Sequence, residues 1–310
     1  MSDLKLFRIH EGAAVELVSS AVALEKHLQT LIERNMEPLF GVRFLASEYS
    51  TGVRHGGRID SLGIDENGSP VIFEYKRARD ENVINQGLFY LDWLLDHRAE
   101  FKLLVLDRLG PAAAQGVDWS NPRLVCVARD FTRYDEHAVQ QINRTIELVR
   151  YRDYAGDLLA LELLTAVAGT PLAEPAAGSA APSAGSARTP ALEKTVSQFL
   201  DQAPESLKNL FADLDAALTA FGDDVQRSTR KFYFAYKRLK NFACVEVHPR
   251  DHVLVVYVKV NPETVDLEEG FTRNVRNIGH YGTGDLEIRI QSRTGLDRAA
   301  DLLLQSYEAS

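Results

Sequence analysis

The sequence predicts an α/β sandwich built around a mixed sheet, followed by a smaller α+β domain. Three observations predict it. The first half of the 310-residue chain reads as helix, strand, hairpin and helix, and then as alternating strands and helices. Two strand-like runs flank Asp65-Glu66-Asn67-Gly68, whose Asn-Gly step is a hairpin signal. The segment 169–190, GTPLAEPAAGSAAPSAGSARTP, is almost entirely Ala, Gly, Ser and Pro and cannot bury enough apolar surface to order itself. It is expected to be a tether between a domain at 1–168 and a second at 191–310.

In the first domain, Val22, Leu24, Leu28, Leu31 and Ile32 recur at intervals of three and four and predict a helix over 21–35. A strand is expected over 42–49, and a hairpin over 58–64 and 70–76. Ile84, Leu88, Leu91 and Leu95 give the helix 80–97 its apolar face. The apolar runs 103–106 and 124–128 read as buried strands. A helix over 135–145 and strands over 146–151 and 158–164 close the domain. The second domain is expected to hold helices at 192–202 and 205–221, strands at 231–236, 243–247, 253–260 and 285–290, and a final helix at 296–307.

A composition that is 45% hydrophobic and 25% charged is ordinary for a soluble globular protein, and its length suffices for two cores. No apolar run approaches the roughly 20 residues needed to span a bilayer. The start, MSDLKLFRIHEG, lacks the pattern of a signal peptide, so a cytoplasmic location without membrane partners is expected. Cys126 and Cys244 stand alone in the two halves, outside any C-x-x-C pair, and read as buried small hydrophobes. The net charge of −9 is unlike the basic footprint of most nucleic-acid binders, although local fields matter more than the sum.

The chemistry concentrates in Gly57-Arg58-Ile59-Asp60, Phe73-Glu74-Tyr75-Lys76 and Gln86-Gly87-Leu88-Phe89-Tyr90. Side chains alternate along a strand, so Glu74 and Lys76 share a face. The hairpin brings Asp60 toward Glu74, and two converging carboxylates repel unless a cation lies between them. Mg²⁺, or Mn²⁺ in its place, takes oxygen ligands of this kind, and the Tyr75 carbonyl offers another. A metal there lowers the pKa of a bound water, and Lys76 would orient that water or stabilise charge on a phosphate. Gln86 and Tyr90, four apart, share a helix face and read as a supporting polar pair. The alternative for Asp60, Glu74 and Lys76 is a salt-bridge cluster on a surface hairpin. Arg58 and His55 are candidates for phosphate contact or a solvated loop end.

This series resembles the nuclease domain of the NucS/EndoMS endonucleases, within the PD-(D/E)xK superfamily. The resemblance covers about residues 20–100. It implies a restriction-endonuclease-like sandwich, with Asp60 and Glu74 as metal ligands, Lys76 as the catalytic lysine, and Gln86 with Tyr90 in support. It extends to Leu24-Glu25-Lys26-His27-Leu28, similar to that family's first helix, and implies that Glu25 faces the site; the alternative is a solvated helix position. The family's dimerising N-terminal domain has no expected counterpart here, so mismatch specificity is not carried over. The activity implied is Mg²⁺-dependent hydrolysis of DNA phosphodiester bonds. The other reading is a catalytically idle nuclease fold that binds nucleic acid or protein.

The second domain resembles an uncharacterised domain sometimes labelled a predicted transport protein, through Phe232-Tyr233-Phe234-Ala235-Tyr236-Lys237, Asn241-Phe242-Ala243 and Asn277-Ile278-Gly279-His280-Tyr281-Gly282-Thr283-Gly284-Asp285. A chain without spans gives transport no physical support. The stretch 227–240 interleaves Arg227, Arg230, Lys231, Lys237, Arg238 and Lys240 with aromatics and contains no acid. Such a strand suits single-stranded nucleic acid. Alternation puts Phe232, Phe234 and Tyr236 in the core and leaves Lys231, Tyr233 and Lys237 on the exposed side, with Lys240 as a further phosphate candidate. A homodimer or protein partner through this domain is also expected.

Overall fold

The computed structural model describes residues 5–19, 25–77, 82–154, 156–170, 172 and 194–310. The chain forms two compact units, Met1–Thr170 and Pro171–Ser310. Among the described residues no helix is long and apolar enough to cross a membrane.

The first unit opens with a hairpin that the sequence reading missed, β1 (Leu6–His10) paired antiparallel with β2 (Ala13–Leu17). It continues through α1 (Glu25–Arg34), α2 (Met36–Phe40), β3 (Val42–Ser50), α3 (Gly52–His55), β4 (Arg58–Asp65) and β5 (Pro70–Lys76). Then come α4 (Val83–Asp96), α5 (Arg98–Leu109), α6 (Pro111–Gln115), β6 (Arg123–Ala128), α7 (Arg133–Gln140), β7 (Thr145–Tyr154) and β8 (Leu158–Val167). The expected helix starts at 21–24 and 80, including Val22 and Leu24, lie outside the described residues, as do residue 171 and residues 173–193, which hold most of the expected tether and the start at 192.

Six strands form one mixed sheet in the order β3-β4-β5-β6-β7-β8. β5, β6 and β7 run parallel, and the pairs toward each edge are antiparallel. Parallel neighbours need a crossover, and α4, α5 and α6 supply it between β5 and β6. Ile72, Leu124, Cys126 and Ala128 pack against Ile84, Leu91 and Leu94 of α4. Both central strands are buried, so they read as continuous apolar runs.

At the turn end of the sheet a charged group is buried. Arg123 donates to Asp65 Oδ2 at 3.0 Å and to Glu147 at 2.8 and 2.9 Å. Asp65 Oδ1 accepts the backbone amides of Asn67 and Ser69, fixing the hairpin turn. That end is closed; the other end of β4 and β5 carries the candidate site.

One strand expectation is overturned. Residues 103–106 belong to α5, where Phe101 and Val105 are buried four apart while Leu103 and Leu106 are exposed. A four-residue apolar run cannot separate strand from helix by periodicity. The helix expected at 135–145 stops at Gln140, and Thr145 already belongs to β7.

The second unit comprises α8 (Val196–Asp201), α9 (Glu205–Thr219), β9 (Gln226–Thr229), β10 (Phe234–Lys237), β11 (Asn241–His248), β12 (Val253–Val258), β13 (Thr272–Asn274), β14 (Leu286–Ile290) and α10 (Arg293–Glu308). The antiparallel sheet order is β13-β14-β12-β11-β10-β9. Leu207, Phe211 and Leu214 of α9 and Leu296 and Leu303 of α10 pack on Phe234, Tyr236, Val245, Val256 and Ile288. The opposite face carries a second cluster of Tyr233, Ala235, Cys244, Val253, Val255, Tyr257 and Val275. This corrects the expectation for Tyr233 and Lys237, which are buried at 7% and 5% exposure. Alternation places them on the face away from the helices, but the segment carrying Val275, Gly282 and Thr283 packs over that face.

Candidate functional site

The site forms where β4 and β5 run out of their paired register, just beyond Ser61 and Phe73. Asp60 and Glu74 are cross-linked there. The Asp60 amide donates to Glu74 Oε1 at 3.3 Å, and the Tyr75 amide donates to Asp60 Oδ2 at 3.0 Å. Glu74 is fully buried, and its Oε2 has no hydrogen-bond partner among the described residues. Burial, and next the Asp60 carboxylate, push the Glu74 carboxyl up to about 9. Asp60 is also raised, by burial first, while the Tyr75 amide and Lys76 oppose the rise.

Helix α1 brings Glu25 to the end of β5. Glu25 Oε1 lies 3.5 Å from Lys76 Nζ, and Oε2 accepts the Arg77 amide at 3.0 Å. Lys76 is largely buried, with 17% of its side chain exposed. Glu25 and Lys76 thus meet at the end of β5, the end of the hairpin that also carries Asp60 and Glu74, while 42% of the Glu25 side chain stays open to solvent.

Gln86 and Tyr90 also meet, with Gln86 Nε2 at 3.4 Å from the Tyr90 hydroxyl. Their contact is with the start of β4: the Tyr90 hydroxyl accepts the Arg58 amide at 3.2 Å. Gly57 permits this approach, since a Cβ there would sit 2.6 Å from the Tyr90 ring. The pair supports the strand that carries Asp60. The Arg58 side chain is exposed. His55 lines a different cleft of about 440 Å³ with Thr51, Trp93, Asp96, His97 and Glu100.

Four residues escaped the sequence reading. Buried Gln29 donates to the Asp60 carbonyl at 2.7 Å and to Glu33 at 2.9 Å. Ser61 donates to Glu33 at 2.6 Å. The signal was present: Glu25, Gln29 and Glu33 repeat every four residues, one polar stripe beside the apolar Leu28 and Ile32. Glu48 had no such signal. It takes φ 51° within β3, between Ser47, paired with Ser61, and Tyr49, paired with Ile59. It bonds Lys26 at 3.1 Å, and its charge adds to the rise at Asp60.

Among the described residues, no three His, Cys, Asp or Glu side chains converge as a metal-binding group. Two carboxylates nevertheless suffice for Mg²⁺, which keeps waters and substrate oxygens. Glu74 Oε2, without a hydrogen-bond partner among the described residues, is an oxygen that would suit such an ion.

In the second unit, Lys231 Nζ lies 4.6 Å over the Phe232 ring, and Lys240 Nζ donates to the Ala309 carbonyl at 3.3 Å. Lys237 does not join them at the surface.

Residues 196–310 match the family described as Domain of unknown function (DUF5655). The chain is similar to an uncharacterized protein of Haemophilus influenzae, 26% identical over 307 residues that span 98% of this chain and 100% of that one. It is also similar to a solved repair endonuclease from Pyrococcus abyssi, at 22% identity and a TM-score of 0.29, covering 44% of this chain and 50% of that one. An EndoMS structure in complex with double-stranded DNA matches at 20% identity and a TM-score of 0.28, covering 42% and 47%. The chain spans about half the length of these solved structures.

Proposed function

We propose that this chain is a divalent-metal-dependent nuclease of PD-(D/E)xK type that hydrolyses DNA phosphodiester bonds. One observation carries the reading: a fully buried carboxyl, Glu74, keeps an oxygen that has no hydrogen-bond partner among the described residues, beside a second carboxyl, Asp60. Burying such a pair without a cation is costly. Asp60 and Glu74 would hold Mg²⁺ or Mn²⁺, with the Tyr75 carbonyl and Glu25 at its margin. Such an ion supplies Lewis acidity toward a phosphate and a more acidic water.

The chain's own groups divide the remaining work. Lys76, largely buried and held by Glu25, presents a cation toward the scissile phosphate or its attacking water. Gln86 and Tyr90 brace the backbone at Arg58, which keeps Asp60 in register. Arg58, exposed at the start of β4, would meet a phosphate. In this reading the second domain, 191–310, would bind nucleic acid or a protein partner.

The test is titration of the full chain with Mn²⁺ by calorimetry, beside the double variant Asp60→Asn, Glu74→Gln. Binding of one or two ions by the parent, lost in the variant, is expected. Equal affinity in both would place the metal elsewhere and end this reading. A second reading, an idle nuclease fold serving as a binding module, is favoured by the Lys76–Glu25 ion pair, which occupies the lysine internally. Metal binding without cleavage of any DNA would select it.

A further inference from the structure

Two motifs about forty residues apart converge in the second unit. Tyr281, from the glycine-rich loop, stacks on Phe232, from the basic stretch, with ring centroids 4.3 Å apart and planes at 27°. Lys231 Nζ lies 4.6 Å over the same Phe232 ring. One residue before Tyr281, His280 stacks on Tyr257 at 4.1 Å and 10°. The result is two stacked aromatic pairs carried by adjacent loop residues, with a cation over one of them.

The loop that carries Tyr281 is held from beneath. The Thr283 amide donates to Cys244 Sγ at 3.4 Å, and Asn241 Nδ2 donates to Thr283 Oγ1 at 3.4 Å. Gly282 has φ +84°, and a Cβ there would lie 2.5 Å from Cys244 Cβ, so only glycine fits so close to the sheet. Tyr281 nevertheless remains 52% exposed, and nearby Ile278 is 46% exposed. An aromatic ring that is anchored on one face and open on the other loses little conformational freedom when something stacks on it.

The second of these pairs borders a cleft of about 450 Å³ lined by Lys259, Arg276, His280 and Thr283 among others. The Arg276 guanidinium is engaged by Asp285, Glu263 and Asn261.

We propose that the surface formed by Tyr281, Phe232, Lys231 and His280 binds single-stranded nucleic acid, stacking an unpaired base on the outer face of Tyr281. It rests on the nuclease reading only in taking the ligand to be a nucleic acid. A base offers its π-face to a side chain only when it is unstacked, so a platform of this kind selects single strands over duplex. Lys231 beside the stack suits the phosphate that accompanies each base.

The test is fluorescence anisotropy of a labelled oligothymidylate of about twenty nucleotides against the full chain in EDTA, which prevents metal-dependent cleavage. Tyr281→Ala is expected to weaken binding roughly tenfold or more, within the range for loss of one stacked base. Tyr281→Phe, which keeps the ring, is expected to restore it. Lys231→Glu is expected to weaken binding and flatten its dependence on salt. Each variant is first matched to the parent in thermal midpoint and Mn²⁺ binding. Unchanged affinity in folded Tyr281→Ala, equal or tighter binding of a blunt duplex, or no binding by the parent would each overturn the proposal. Binding that requires Tyr281 in a chain that cuts no DNA would sustain this surface while ending the nuclease reading, so the two fail separately.

Discussion

Asp60 and Glu74 hold each other through the backbone. The amide of Asp60 donates to one Glu74 oxygen at 3.3 Å, and the amide after Glu74 donates back to Asp60 at 3.0 Å. The arrangement fixes both carboxyls while leaving Glu74 Oε2 without a partner among the described residues. Two backbone amides thus do the positioning, just past the end of the strand pairing, and the cost falls on the Glu74 carboxyl, pushed up to about 9.

That rise has a sign for stability. Below about 4.5 the carboxyl is protonated in both states, and between 4.5 and about 9 the native state holds a proton that the unfolded chain has lost. Native stability without metal therefore falls as pH rises through this window. Glu74→Gln is expected to flatten the slope, leaving the variant more stable than the parent by more than about 1 kcal/mol at pH 8 and near parity at pH 4. Urea midpoints against pH in EDTA measure it. Parallel curves for the two proteins would refute the account.

Metal binding is tied to the same proton. An ion on Glu74 must displace it, so Mn²⁺ affinity is expected to rise from pH 6 to pH 9, with proton release visible as a buffer-dependent heat. A heat that is independent of buffer ionisation would mean that Glu74 is already ionised or is not a ligand.

Lys76→Met is expected to lower metal-dependent cleavage by about 10²–10³ while sparing the fold and Mn²⁺ binding. Methionine keeps most of the length and the apolar stem of a side chain that is 17% exposed. Cleavage of single-stranded, duplex and forked DNAs by both proteins is the measurement. Full activity in the variant would remove Lys76 from the chemistry.

Arg123→Met is expected to destabilise the first unit by about 3–5 kcal/mol at neutral pH, because it removes the buried cation that bonds both Asp65 and Glu147. Chemical denaturation monitored by the tryptophans, Trp93 and Trp119, reads the change. A loss under 1 kcal/mol would show that the two carboxylates take up protons or water cheaply.

Limited proteolysis is expected to cut within about 169–190 and release two folded fragments, since the composition there is that of an unpacked tether. The first two residues are anchored: Gly169 donates to Thr145 Oγ1 and Thr170 to Asn143 Oδ1. Cuts are therefore expected beyond Thr170. Resistance under conditions that nick other loops would argue for a docked segment.

The sequence by itself determined the hairpin, the helix after it, and the face shared by Glu74 and Lys76, because these rest on local rules: the Asn-Gly turn, period-two alternation and helical spacing. It also marked Asp60, Gln86 and Tyr90 as polar residues at set distances along the chain. Only the tertiary structure decided what these residues touch. Glu25 lies on Lys76 and Arg77 because α1 packs across the end of β5, and Tyr90 reaches Arg58 because Gly57 leaves room. Residues 103–106 are helical because Phe101 and Val105 pack with their neighbours in a crossover, which a short apolar run cannot announce. Tyr233 is buried because a loop from more than forty residues later covers the outer face of the sheet, and the same loop puts Tyr281 on Phe232. Alternation tells which residues share a face. Whether that face meets water depends on which distant segment packs against it, and no local pattern carries that information.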